Sequence, residues 1–160
     1  MVSPSFKPQH RIDQLAIKLQ TLDSNIPPKE AMSLSRDIFD QTAKLTKKFK
    51  LVSPPWFHNL LVNVGVREKG LCYHWSDALY RYFFKKNYNA FAFHLAGANM
   101  GEYWFEHNVL VVTAKNGKFG EGIVIDPWRD SGKLYFSTLK EDTKYQWKQR
   151  YSREVCQKGK

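Results

Sequence analysis

A chain of 160 residues with a hydrophobic fraction of 42% is long enough for one domain with a substantial core, and too apolar to remain disordered. Its two cysteines argue against a disulfide-stapled fold, and without a run of about 18 apolar residues no membrane span is predicted. The net charge of +10 is concentrated in basic blocks at 44–50 and 140–160. No nucleic-acid-binding module accompanies these blocks. They are explained by a solvated basic surface or by contact with an anionic surface or polymer.

No linker or internal repeat divides the chain, so we expect a single domain over 1–160. Residues 1–9, which include two prolines, predict a loose lead-in and lack the charged-then-apolar pattern of a signal peptide. The start of an exported protein whose signal has been removed would look the same. A cationic protein suits the anionic bacterial cell envelope, and we favour this compartment over the cytoplasm, although the sequence is compatible with both.

Apolar residues at spacings of three and four predict an N-terminal helical part over 10–50. The first helix covers 10–21, and its inward residues are Ile12, Leu15, Ala16 and Leu19. The second begins at Pro27-Pro28 and ends near Phe49, with an inner stripe of Met32, Leu34, Ile38, Phe39, Ala43 and Leu45. A short apolar helix is predicted over 56–64, after Ser53-Pro54-Pro55.

A further helix is predicted to begin at Cys72, just after Gly70, and to end near Lys86. The cysteine therefore lies at a helix N-terminus, where unsatisfied backbone N–H groups and the positive end of the helix dipole favour a thiolate. A lone cysteine on an apolar helix face is also often only a small buried side chain. The residues downstream of Cys72 distinguish between these two interpretations.

From Asn87 onward the apolar period changes to two, which predicts strands. Four strands are expected, with a loop at 97–101 and a hairpin turn at Asn116-Gly117; they cover 88–95, 102–113, 120–126 and 133–136. Residues 138–151 predict a closing helix, and 152–160 predict a frayed tail. Helices followed by an antiparallel sheet define an α+β fold.

His107 opens the apolar part of one predicted strand, and Asp126 ends the next. An antiparallel hairpin between these strands brings the two residues side by side, which predicts a hydrogen-bonded His-Asp pair. With Cys72 they make a Cys-His-Asp nucleophilic site, in which the imidazole takes the thiol proton and the carboxylate orients the imidazole. Each residue alone is more often structural than catalytic, but the three in this order favour catalysis.

The oxyanion of such a site needs two hydrogen-bond donors. The backbone N–H of Cys72 is the first. The second is expected to be a side chain upstream of Cys72, for which we name Asn63, with Trp56 as the alternative.

Three motifs together resemble the transglutaminase-like branch of the papain-like cysteine-peptidase superfamily; they are Arg67-Glu68-Lys69-Gly70-Leu71-Cys72, Glu106-His107-Asn108-Val109 and Val124-Ile125-Asp126-Pro127-Trp128. In that branch a Gly-x-Cys motif opens the central helix, a His opens a strand and an Asp-Pro closes the next. The resemblance covers 54–136 as the catalytic core. It implies N-terminal helices, with the nucleophile at the N-terminus of a central helix packed on an antiparallel sheet. It also implies acyl transfer on amide bonds of a peptide or protein substrate, by a cysteine protease or a transglutaminase-like enzyme, without distinguishing hydrolysis, deamidation and cross-linking.

Other interpretations remain beside this one. Zinc bound by Cys72 and His74 with His94 or His107 would lack further ligands at recognisable spacing, so no metal or cofactor is expected. A non-catalytic binding domain of the same fold, or a basic module that binds an anionic polymer, would leave the cysteine unused.

Three more residues near the motifs or the chain end have expected places. Glu106 is expected to be a surface charge, and Trp128 to shield the His-Asp pair from water. Cys156 is expected to be incidental, unless a disulfide to Cys72 silences the enzyme.

Overall fold

The computed structural model describes residues 9–49, 72–100, 106–130 and 133–150. The helices in these ranges are α1 (Gln9–Gln20), α2 (Pro28–Phe49) and α3 (Cys72–Lys86). The strands are β1 (Phe91–Ala98), β2 (His107–Ala114), β3 (Ile123–Asp130), β4 (Lys133–Thr138) and β5 (Lys148–Arg150). The fold is therefore α+β, as predicted. Among the described helices, none is both long enough and apolar enough to cross a bilayer.

The five strands form one sheet in the order β4-β3-β2-β1-β5, and each neighbouring pair is antiparallel. The β1–β2 register pairs Ala98 with His107, and the β2–β3 register pairs Leu110 with Ile125. The start of β2 therefore lies at the end of the sheet where β1 finishes. β5 adds to the outer edge of β1, so the chain returns to the first strand after building the opposite edge.

The two faces of the sheet are covered by different parts of the chain. One face packs against all three helices in a single large apolar cluster, to which the sheet contributes Phe91, Leu110, Val112, Ala114, Ile123, Ile125 and Leu134. The other face carries a smaller cluster of Ala96, Val109, Val111 and Val124, covered by Phe119, Leu139 and Trp147. The strands of the centre are thus buried on both sides, which explains the unbroken apolar run in β2.

The helix predictions from spacing are largely confirmed. All four inward residues named for α1 are buried, and α2 has the predicted bounds. The prediction for one residue of the inner stripe of α2 is wrong, because Ala43 is exposed and Thr42 is buried in its place. Residue 42 follows Ile38 by four positions and precedes Leu45 by three, so it continues the inward face, whereas residue 43 has rotated away from it. The predicted helix at 56–64 lies outside the described residues.

The strand predictions need three corrections. β1 runs to Ala98 and so includes Gly97, which was expected in a loop; a Cβ there would lie 2.9 Å from the side chain of Met100. β2 begins at His107, and Glu106 is in no strand, while 102–105 lie outside the described residues. Between β2 and β3 the turn is followed by a short 3-10 helix, Phe119–Glu121, so β3 begins later than expected.

The closing helix predicted over 138–151 is wrong. After β4 the chain makes turns over 139–147 and then forms β5 on the open edge of β1. Asp142 is buried inside these turns, where its carboxylate accepts a hydrogen bond from the backbone N–H of Lys144 and holds side chains from elsewhere. Such tertiary contacts outweigh the weak helix propensity of a polar segment.

Candidate active site

The structure brings His107 and Asp126 together, as the register argument predicted. His107 Nε2 donates to Asp126 Oδ2 over 2.6 Å, and the two side chains are 2% and 0% exposed. The donor is the first residue of β2 and the acceptor lies on the neighbouring β3, so two central strands of the sheet set the geometry. A buried contact between these two groups fixes the tautomer and the orientation of the imidazole.

The pair lies at the end of the sheet, on the face away from the helices. Along β2, His107 alternates with Leu110 and Val112 of the helix-facing cluster and shares its face with Val109. Its ring contacts Trp147, which covers the same face, with ring centroids 5.5 Å apart.

Asp126 is held by more than the imidazole. Its Oδ1 accepts the backbone N–H groups of Trp128 and Arg129, each at 3.1 Å, and its Oδ2 accepts Arg129 Nε at 3.0 Å. The β3–β4 register is irregular between Asp126 and Asp130, so the strand bends where Pro127 supplies no N–H and the following amides turn toward the carboxylate. The strand was expected to end at Asp126; instead it passes through this irregularity to Asp130.

These contacts keep Asp126 ionised. Burial alone would raise the pKa of this carboxyl, but the neighbouring His107 and then Arg129 outweigh burial and hold the pKa below its usual value. A carboxylate that stays charged can stabilise an imidazolium beside it.

Among the described residues, three aromatic rings contact the imidazole of His107. The centroids of Trp128 and Tyr145 are each 4.9 Å from that of the imidazole, and Trp147 completes the enclosure. Trp128 thus contacts the imidazole that it was expected to shield from water. These rings contribute to the near-complete burial of the imidazole, and faces of aromatic rings also attract a cation.

Arg129 links the pair to the C-terminal segment. Its guanidinium binds Asp142 through Nη1 at 3.3 Å and Nη2 at 2.7 Å, and it lies 3.7 Å above the ring centroid of Tyr135. Asp142 also accepts the indole N–H of Trp147 at 2.8 Å. The connected groups run from the imidazole through Asp126 and Arg129 to Asp142.

A second ion pair flanks the candidate base. Arg150 of β5, which is 9% exposed, donates Nη2 to Glu106 and Nη1 to Asn108. Glu106 is thus the partner of a buried arginine, and the expectation of a plain surface charge was wrong. The last described strand is fastened to the residues on both sides of His107.

His94, named in the zinc alternative, lies elsewhere on the sheet. Its Nε2 donates to Thr113 Oγ1 at 2.9 Å, and its Nδ1 accepts Gln149 Nε2 at 3.2 Å. Burial lowers the pKa of this imidazole and favours the neutral form that these two bonds require. Within the described ranges no group of three or more His, Cys, Asp or Glu side chains could hold a metal ion.

The remaining predicted site residues are placed only in part. Cys72 is the first residue of α3, as predicted, while its side chain and that of His74 lie outside what the structure describes. Asn63, Trp56 and Cys156 also lie outside the described residues.

Sequence reasoning missed Arg129, Asp142, Tyr145 and Trp147. The signal available for Arg129 was its place three positions after the predicted aspartate, and for Tyr145 and Trp147 it was their aromatic character in a polar segment.

No protein-family model, curated protein or solved structure matches this chain.

Proposed function

We propose that this protein is a cysteine enzyme of papain-like, transglutaminase-like fold that transfers the acyl group of an amide in a peptide or protein. Cys72 is the nucleophile, His107 the base and Asp126 the residue that orients the base. The observation that carries this proposal is the buried hydrogen bond from His107 Nε2 to Asp126 Oδ2. A histidine held by an ionised carboxylate inside an aromatic enclosure is suited to accept a proton and remain in place.

The ring orientation decides which imidazole atom exchanges protons. Nε2 is engaged by the carboxylate, so a proton from the thiol goes to Nδ1. The imidazolium that results lies beside Asp126, whose pKa is lowered by His107 and Arg129. The charge that appears during the reaction therefore meets a compensating charge already in position.

The position of the start of α3 along the strand direction supports the placement of Cys72 near this pair. β1 follows α3 after a short turn and runs back along it; Phe83 of α3 stacks on Phe93 at 5.2 Å, and Phe93 pairs with Val112. From that level the helix extends about 17 Å back to Cys72. From Val112, β2 extends about 17 Å back to His107. These lengths bring the helix start and the imidazole to the same end of the sheet, where α3 packs on one face and His107 lies on the other.

The proposed reaction has two halves. In the first, the Cys72 thiol gives its proton to His107 Nδ1, and the thiolate adds to the amide carbonyl carbon. The C–N bond then breaks, the imidazolium returns the proton to the leaving amine, and a thioester remains. In the second half, water or an amine attacks the thioester carbonyl carbon while His107 takes its proton. The C–S bond then breaks, the acid or new amide leaves, and the imidazolium returns the proton to the Cys72 sulfur.

Alkylation by iodoacetamide at pH 6 tests the proposal. A thiolate paired with an imidazolium reacts at this pH, so Cys72 should be labelled about 100-fold faster than Cys156, an internal reference thiol. In His107→Gln the two cysteines should become similar, which peptide mass spectrometry measures site by site. Equal, slow labelling in the unmodified protein would contradict the proposal and leave a non-catalytic binding domain.

A further inference from the structure

The segment between β4 and β5, residues 139–147, lies over the candidate base, and we call it the cover segment. It contributes Tyr145 and Trp147 to the enclosure of His107. The two rings also contact each other, with centroids 5.1 Å apart. The cover segment contains no regular helix or strand, so its position over the imidazole depends on specific side-chain contacts.

We propose that the Arg129–Asp142 ion pair is a latch that holds the cover segment closed over His107. This inference rests on the proposed function, because it assigns Arg129 and Asp142 as positioning residues for the proposed base. Neither residue needs to touch a substrate.

The contacts of Asp142 make it the centre of the cover segment. One carboxylate receives the guanidinium of Arg129, the indole N–H of Trp147 and the backbone N–H of Lys144. Its side chain is 1% exposed and that of Arg129 is 7% exposed. Removing Asp142 leaves the Nη atoms of Arg129, the indole N–H of Trp147 and the backbone N–H of Lys144 without this acceptor, which favours opening of the cover segment.

Arg129 connects the latch to the pair below it. Its Nε binds Asp126 while its Nη atoms bind Asp142, and its guanidinium lies 4.9 Å from the ring centroid of Tyr145. The same side chain therefore orients the carboxylate that holds the imidazole and anchors the rings that exclude water from it. Opening the cover segment would expose the hydrogen bond between His107 and Asp126 to water.

The test measures how fast the proton of that hydrogen bond exchanges with water. NMR follows the exchange with water of the His107 Nε2 proton, identified by its loss in His107→Gln. Asp142→Ala should speed this exchange by about tenfold or more, since local opening controls the rate. Glu141→Gln is the matched control: it removes a neighbouring charge that is exposed and binds Lys18, and it should leave the exchange unchanged.

Two gentler variants keep the test decisive if Asp142→Ala does not fold, as judged by circular dichroism. Asp142→Asn removes the charge, and Trp147→Phe removes the indole N–H while keeping a ring; each should speed exchange by a smaller factor. A folded latch variant whose exchange rate equals that of the unmodified protein would overturn the latch.

The alkylation rate of Cys72 is followed in parallel and should be lower in the latch variants than in the unmodified protein. Slow labelling of Cys72 in the unmodified protein would instead reject the proposed function, while the exchange rates still decide the latch.

Discussion

Two buried aspartates, Asp37 among the helices and Asp126 on the sheet, have similar surroundings. Asp37 is 8% exposed and accepts the hydroxyls of Tyr82 and Tyr88, each at 2.9 Å, and it binds Lys86 Nζ at 2.8 Å. Asp126 is fully buried and accepts an imidazole N–H and the Nε–H of an arginine. In both places a carboxylate is surrounded by aromatic donors and a cation.

The partners differ in when they release a proton. Burial is the first cause that raises the pKa of Tyr88, to about 12, and the neighbouring Asp37 adds to the effect. Burial and Asp37 also raise the pKa of Tyr82. Such phenols keep their protons at neutral pH and remain hydrogen-bond donors to Asp37. An imidazole, in contrast, ordinarily gains and loses a proton near neutral pH. Proton exchange near neutral pH is what the proposed reaction requires of the group beside Asp126, and the phenols beside Asp37 do not supply it.

The largest expected effect separates the two carboxylates by their influence on the thiol. Asp126→Asn should slow alkylation of Cys72 at pH 6 by about 100-fold, because the imidazolium loses its compensating charge. Asp37→Asn, the same change in the helical cluster, should alter that rate by less than about twofold, since distant sites act independently. Site-resolved mass spectrometry measures both. Equal effects of the two substitutions would mean that global stability, and not proton transfer, controls the thiol.

The next effect concerns stability. Asp37→Ala removes the acceptor of two phenols and a lysine and should lower the free energy of unfolding by about 2 kcal/mol. Asp13→Ala, which removes a carboxylate that accepts only an exposed side-chain bond from Gln9 among the bonds described, should cost less than about 0.5 kcal/mol. Urea titration followed by circular dichroism measures both values. A cost for Asp37 no larger than that for Asp13 would show that the cluster does not brace the helices.

The smallest effect distinguishes one phenol by its pH dependence. Tyr88→Phe should cost about 1 kcal/mol near neutral pH, because one buried hydrogen bond is lost. The folded protein holds the Tyr88 proton up to a pKa of about 12, above the ordinary value of 10.0. The stabilisation is therefore complete below about pH 10 and declines as the pH rises toward 12. Urea unfolding at neutral and alkaline pH should show the two proteins converging; a constant difference would contradict the assignment.

The parts of the fold that could be predicted depend on patterns along the chain. The spacing of Ile12, Leu15 and Leu19 defines a helix face, and a period of two defines the strands. The contact of His107 with Asp126 could also be predicted, because one residue opens a strand and the other ends the neighbouring antiparallel strand. The predicted catalytic role of Cys72 stays a prediction.

The parts that could not be predicted depend on partners distant in sequence. The segment after Thr138 was expected to be helical because nothing nearby shows that Asp142 will bind Arg129 or that β1 has an open edge. The continuation of β3 past Asp126 depends on an irregular register with β4, which no local pattern encodes. Glu106 was misjudged because its partner, Arg150, lies 44 positions away.

The position of β5 beside β1 bears on how the protein is synthesised. A ribosome releases the chain in order, so Arg150 becomes available to flank His107 only after every other described strand has emerged. Pairings between such distant segments form slowly. A growing chain therefore carries its candidate base without the rings and ion pairs that complete the surroundings, and the assembled centre belongs to the finished molecule alone.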